Sequence, residues 1–125
     1  NLIIKIEDVD NCEIIIAKLL EDKAIDAVFA VNELFAVTCI KTANKLQLNV
    51  PKDLAVIAFT DGIISKYSTP SITTVSQSGI KMGNRAAKIL INRLEADEKT
   101  EEEDEEENYK TEIIETHLIE RESTS

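Results

Sequence analysis

Five polar residues stand directly after apolar segments of the sequence, where their side chains could act on a ligand. Asn32 and Glu33 follow one such segment, Thr60 and Asp61 follow the next, and Gln77 follows a third. Amide, carboxylate and hydroxyl groups that converge on one rim suit a polyhydroxylated ligand, which presents many donors and acceptors. The same residue types also cap helices and form turns, so their spacing alone leaves both interpretations open.

The sequence carries none of the short motifs that accompany common catalytic sites. It has no Gly-rich phosphate loop, no Cys-x-x-Cys pair and no Gly-x-Ser-x-Gly turn. Asp61 lacks the acidic pair and the lysine that phosphoacceptor chemistry needs at other strand ends. The single histidine, His117, has no nucleophile near it in sequence, and we interpret it as a structural or surface residue. We therefore expect no catalytic residue, no enzyme activity and no cofactor.

The net charge of −10 comes from one acidic segment. Ten carboxylates and one lysine lie between Glu95 and Glu107, and the remaining 14 acids and 13 bases nearly balance. No basic patch is present, so we expect no direct contact with nucleic acid. Because like charges repel and cannot be buried, residues 96–110 are predicted to form an acidic flexible insert. The insert lacks the Gly-containing twelve-residue loop of a calcium site, so we expect no metal.

The two cysteines, Cys12 and Cys39, lie in apolar helical patterns without close spacing, and we predict buried thiols. No apolar run approaches the ~20 residues of a membrane-spanning helix, so we expect no membrane partner. The chain begins at Asn1 and not at Met, which leads us to interpret it as a fragment.

The elements that must position these side chains alternate between strands and helices. In chain order we predict a strand at 2–6, a helix that follows residues 8–10 and ends near 22, a strand at 26–31, a helix at 33–46, a strand at 54–59, a polar loop at 62–71, an extended stretch at 72–75, a helix at 78–94 and a strand at 111–119. This order predicts an α/β fold with a parallel sheet flanked by helices. Ligands bind beyond the carboxyl ends of such strands, where Thr60 and Asp61 lie.

Several segments together resemble the LacI/GalR (lactose-repressor) family of bacterial transcription regulators. They are residues 26–33, 50–59 and 70–77, the pairs Met82-Gly83 and Ala86-Ala87, and residues 121–124. They occur in the expected order and spacing, and the resemblance covers the chain from Ala24 onward except for the acidic insert.

The resemblance implies one lobe of a type I periplasmic-binding-protein-like sensor domain. On this basis residues 1–77 and 111–125 form the C-terminal lobe, and residues 78–95 form a helix that belongs to the missing N-terminal lobe. Residues 96–110 remain the acidic flexible insert. The family also carries an N-terminal helix-turn-helix headpiece, which this sequence lacks, so any contact with DNA is expected only through that absent part.

The resemblance further implies an effector, a sugar or sugar phosphate, held between two lobes. From the resemblance, its contacts would include Asn32, the position that Thr60 occupies and the region around Gln77. Glu33 and Asp61, which stand at the same strand ends, complete the predicted effector contacts. Thr60 stands where the family carries the first aspartate of a Gly-Phe-Asp-Asp motif, and Ala58 replaces its glycine. Either Asp61 substitutes for that aspartate, or this chain binds a different effector.

Family members also form homodimers through the sensor domain. The interface residues implied here are Leu34, Val37, Thr38, Lys41 and Tyr67. The expected protein is a cytoplasmic regulator. The alternative is a periplasmic sugar-binding protein of a transporter or chemoreceptor, which shares the fold but begins with a signal peptide; residues 121–124 favour the regulator.

Overall fold

The computed structural model describes residues 3–21, 25–97 and 111–125. The chain divides into two compact units. The first unit comprises Asn1–Ser76 and His117–Ser125, and the second comprises Gln77–Thr116.

The first unit is a four-stranded sheet with helices. Its strands are β1 (Ala27–Ala30), β2 (Ala55–Phe59), β3 (Thr73–Ser76) and β4 (His117–Ile119), and its helices are α1 (Cys12–Glu21), α2 (Glu33–Lys45) and α3 (Ile63–Tyr67). The sheet order is β1-β2-β3-β4, with β1, β2 and β3 parallel. The predicted α/β fold is confirmed. The sheet is mixed and not purely parallel, because the last strand runs antiparallel to β3, with Ser76 opposite His117.

Helix α2 supplies the centre of the core. Its buried residues are Ala36, Cys39, Ile40, Thr42 and Ala43. They pack with the buried residues of the adjoining strands, Ala30, Val56 and Ala58. Burial alternates along β2, as expected for a strand with one face against helices.

Helix α1 packs on α2 through Cys12, Ile16 and Leu20. Cys12 and Cys39 are both buried and free, which confirms the prediction of buried thiols. Burial raises the pKa of the Cys39 thiol to about 11, so this thiol stays protonated and unreactive at neutral pH.

Three predictions about local structure were wrong. Residues 3–8 form no strand, because none of the described residues there pairs with a neighbouring backbone, and Ile3 is 87% exposed. The predicted loop at 62–71 contains α3. The predicted strand at 111–119 is regular only in β4, because only those three residues pair with β3.

The second unit contains one long helix, α4 (Gly79–Asp97). Arg85 of α4 forms an ion pair with Glu112, and the Ser78 hydroxyl donates to the Glu115 carbonyl at 3.3 Å. Residues 98–110, most of the predicted acidic insert, lie outside the described residues. Within the described part of the chain, no helix has the length and apolar character needed to cross a membrane.

Candidate ligand-binding rim

Asn32 lies directly after β1 and begins α2. Its Oδ1 accepts a hydrogen bond from the Phe35 backbone N–H at 3.0 Å, which is the usual N-cap contact. Its Nδ2 makes no hydrogen bond to any residue that the structure describes, and the residue is half-buried. Asn32 therefore uses its acceptor for the helix and keeps its donor available. We call residues 31–33 and 60–62, at the carboxyl ends of β1 and β2, the rim.

The side chain of Glu33, at the start of α2, contacts the start of α3. Its Oε1 accepts hydrogen bonds from the backbone N–H groups of Gly62 and Ser65, both at 2.8 Å. Gly62 is the N-cap residue of α3 and has no side chain to cap it, so the Glu33 carboxylate takes that role from another helix. A Cβ atom on Gly62 would lie 2.2 Å from Glu33 Oε2, so glycine is required for this approach.

Asp61 forms the second internal contact of the rim. Its Oδ1 accepts from Arg121 Nη2 at 2.5 Å and from the Thr74 hydroxyl at 3.0 Å, and its Oδ2 lies 3.9 Å from Lys66 Nζ. Burial of Asp61 acts to raise its pKa, but the hydrogen bonds from Arg121 and Thr74 and the nearby positive charges lower that pKa overall. The carboxylate is thus held in its ionised form, and its Oδ1 is engaged within the protein.

Arg121 belongs to the C-terminal segment that identified the family resemblance. Its Nη1 donates to the Ile72 carbonyl at 2.7 Å and to the Thr74 hydroxyl at 3.1 Å. The side chains of Arg121 and Asp61 are only 15% and 12% exposed. This role of Arg121 was not predicted from the sequence, because its partner lies 60 residues earlier in the chain.

Thr60 has the most strained backbone conformation of the rim residues. Its φ is 144°, a conformation that favours glycine and that strains a β-branched residue. The residue is half-buried, and its hydroxyl forms no hydrogen bond within the described ranges. Thr60 therefore presents an available hydroxyl directly between Phe59, the last residue of β2, and Asp61.

The remaining predicted site residues lie elsewhere. Gln77 belongs to the second unit. Among the predicted interface residues, Leu34 and Tyr67 are 46% and 81% exposed. The Thr38 hydroxyl donates to the Leu34 carbonyl at 2.8 Å.

Lys41 and Val37 complete that predicted interface. Lys41 Nζ donates to Glu13 Oε2 at 3.1 Å and so ties α2 to α1. Val37 is half-buried against the core.

The chemistry that the rim offers is hydrogen bonding. One oxygen of each carboxylate is engaged by protein donors, and the Asn32 amide and the Thr60 hydroxyl are available. Within the described residues, no group of three or more His, Cys, Asp or Glu side chains could hold a metal ion. The single histidine, His117, is exposed on β4.

A family model for the periplasmic binding protein-like domain matches residues 5–124. The chain belongs to this family. Its similarity to curated proteins points the same way. This periplasmic binding protein-like domain is 36% identical over 107 residues to the HTH-type transcriptional regulator MalR of Clostridium butyricum, covering 85% of this chain and 29% of that protein. It is 31% identical over 99 residues to the HTH-type transcriptional regulator CelR of Thermobifida fusca, covering 79% of this chain and 27% of that protein.

Solved structures agree with the sequence comparisons. The domain resembles the CelR–cellobiose complex with a TM-score of 0.73 and 27% identity, over 94% of this chain and 34% of that one. It resembles a LacI-family regulator of Sanguibacter keddieii with a TM-score of 0.79 and 27% identity, over 96% of this chain and 43% of that one. The predicted resemblance to the LacI family is confirmed. The domain spans only 27–29% of the length of the two curated relatives.

Proposed function

We propose that the chain is the C-terminal, effector-sensing lobe of a LacI-type bacterial transcription regulator. The observation that carries this proposal is the polar rim at the carboxyl ends of two adjacent parallel strands, within a periplasmic binding protein-like domain. In open α/β sheets this is the edge where ligands bind. The curated relatives MalR and CelR are transcription regulators, which supports a sensing role and not an enzymatic one.

The effector is a sugar-like molecule. The available amide of Asn32 and hydroxyl of Thr60 suit the hydroxyl groups of a sugar, and the related CelR structure is a complex with cellobiose. Gln77, which follows β3, remains a third proposed contact because of the family resemblance. Glu33 and Asp61 were also expected to touch the effector, and one oxygen of each carboxylate already accepts hydrogen bonds within the protein.

The mechanism is allosteric. The effector lies between two lobes, binds the closed arrangement more tightly than the open one, and so shifts the spacing of the DNA-binding headpieces. One lobe supplies about half of the contacts. Calorimetric titration of this 125-residue chain with cellobiose is therefore expected to show weak or undetectable binding. Tight binding by this chain alone would contradict a site divided between two lobes.

The DNA-binding function belongs to a headpiece outside this sequence. The coding sequence upstream of Asn1 tests this directly. A helix-turn-helix and the other lobe of the sensor are expected there, in a protein that acts in the cytoplasm. A secretory signal peptide in that position would overturn the regulator and favour a periplasmic sugar-binding protein.

Dimerisation is proposed to use the exposed surface of α2 and α3. Leu34 and Tyr67 are exposed there, and so is Ile63 at 72%. Exposed apolar groups that cluster on one surface are typical of protein interfaces. Analytical ultracentrifugation is expected to show a dimer that Leu34→Asp converts to a monomer. Leu118→Asp, at a position on β4 that is 59% exposed, serves as the control and should leave the dimer intact.

Helix α4 is proposed to belong to the other lobe of the sensor. It lies in the second compact unit, and Ile80, Leu90 and Leu94 are 85%, 59% and 59% exposed. Hydrogen exchange is expected to be faster in α4 than in α2 in this chain, and to slow when the rest of the sensor is present. Equal protection of α4 with and without the other lobe would contradict the assignment.

A further inference from the structure

The two carboxylates of the rim already accept hydrogen bonds from the protein, whereas the Thr60 hydroxyl forms none with the described residues. Glu33 Oε1 accepts two backbone hydrogen bonds, and Asp61 Oδ1 accepts from Arg121 and Thr74. A ligand that bound Glu33 Oε1 or Asp61 Oδ1 would have to displace these donors. Each displaced backbone N–H or guanidinium would then be left unpaired at a partly buried position.

The contacts of these two carboxylates fix the two residues that follow the strained residue. Thr60 follows β2 with a φ of 144°, Asp61 comes next in sequence, and Gly62 donates to Glu33. A residue persists in such a conformation only when its surroundings hold it there. Asp61 is tied to β3 and to the C-terminal segment, and Gly62 is tied to α2. Because Phe59, before Thr60, is paired with β3 in the sheet, the turn is fixed on both sides.

Resting on the proposed function, we infer that Glu33 and Asp61 are positioning residues, which hold Thr60 in its strained conformation, and that the Thr60 hydroxyl and the Asn32 amide are the groups of this lobe that bond the effector. The ligand class follows from this arrangement. These two groups favour a ligand with hydroxyl or carbonyl groups, which the Asn32 amide and the Thr60 hydroxyl can bond.

The test of positioning is a double-mutant cycle on thermal unfolding. Thr60→Gly removes the strain and is expected to raise Tm by about 3 °C or more. In a Glu33→Gln or Asp61→Asn background the turn has already relaxed, so Thr60→Gly should raise Tm by less than half as much. If Glu33 and Asp61 merely stabilised the fold independently of Thr60, Thr60→Gly would shift Tm by the same amount in every background.

Gln47→Gly is the matched control. Gln47 also has a positive φ, of 62°, but it follows α2 and lies outside the rim. Its Tm shift should be the same with and without Glu33→Gln. If Thr60→Gly lowers Tm, or if its shift is the same in all three backgrounds, the inference is overturned.

The choice of contact groups is tested by NMR titration of the chain with cellobiose. The Thr60 amide and the Asn32 side-chain amide are expected to shift, whereas the carboxyl carbons of Glu33 and Asp61 should not. Carboxyl shifts as large as the amide shifts would overturn the inference. If no resonance responds to cellobiose, this chain alone does not bind the sugar, as a site divided between two lobes allows, and the double-mutant cycle then decides the inference.

Discussion

The two ends of strand β2 are both held by residues that are distant in sequence, but they are held in different ways. Near the amino end, the Val56 N–H donates to the Ser123 carbonyl at 3.0 Å, and the Ser123 hydroxyl donates to the Val56 carbonyl at 2.5 Å. The same hydroxyl accepts from the Thr73 N–H at 2.8 Å, and Ser123 is fully buried. Every one of these polar groups has a partner, so this end is purely structural.

The carboxyl end of β2 combines contacts to distant residues with a side-chain group that has no partner among the described residues. Asp61 Oδ1 and Glu33 Oε1 are bonded to distant residues as Ser123 is, but Thr60 between Phe59 and Asp61 is strained and keeps a free hydroxyl among the described residues. Backbone strain of this kind clusters at functional sites. Under the proposed function, the same kind of long-range contact serves stability at one end of the strand and the positioning of a ligand-binding residue at the other.

The largest expected effect is at the carboxyl end. Arg121→Ala removes the main partner of Asp61 and leaves a carboxylate that is only 12% exposed without its counter-charge. Breaking such a pair is expected to lower the free energy of unfolding by about 3 kcal/mol. Urea denaturation measures the loss. Lys52→Ala, at an exposed position, is the control and should change stability by less than about 0.5 kcal/mol.

A smaller loss is expected at the amino end of β2. Ser123→Ala leaves the Thr73 N–H without its acceptor and the Val56 carbonyl without one donor, both at buried positions. The expected cost is about 2 kcal/mol in the free energy of unfolding. Ser125→Ala, at an exposed hydroxyl, should cost much less. A Ser123→Ala loss larger than that of Arg121→Ala would reverse the order of the two ends.

The smallest expected effect is a gain in stability. The Ser65 side chain in α3 is fully buried, and within the described residues its hydroxyl has no hydrogen-bond partner. Ser65→Ala is expected to leave stability unchanged or raise it by up to about 1 kcal/mol, because no hydrogen bond is lost. Ser68→Ala, which removes a hydroxyl that donates to the Pro70 carbonyl at 3.0 Å, should be slightly destabilising. Thermal unfolding distinguishes the two; a clear loss for Ser65→Ala would show that its hydroxyl has a partner.

Regular elements with strong patterns were predictable from the sequence. Helix α2 and strand β2 match their predicted ranges to within one residue at each end, because apolar spacing and burial agree there. Helix α3 was not predictable. Only five residues long, it depends on the Glu33 carboxylate, which comes from 29 residues earlier.

The candidate site could also be predicted only in part from the sequence. The positions of the rim residues after β1 and β2 followed from the strand pattern. Whether a carboxylate there faces a ligand or the protein depends on Arg121 for Asp61 and on Gly62 for Glu33, and sequence spacing does not contain those contacts. The strain at Thr60 is likewise a property of the folded turn.

The central claim is that Asp61 acts within the protein as an ionised, paired group, and the pH dependence of stability tests it most directly. Its pKa is lowered in the folded state, so its contribution is fully present above the unfolded value of about 3.9 and is lost as pH falls through the folded value. We expect wild type to exceed Asp61→Asn in the free energy of unfolding near pH 7, and this difference to shrink steadily below about pH 4. No difference near pH 7, or one that stays constant into the acid range, would contradict the account.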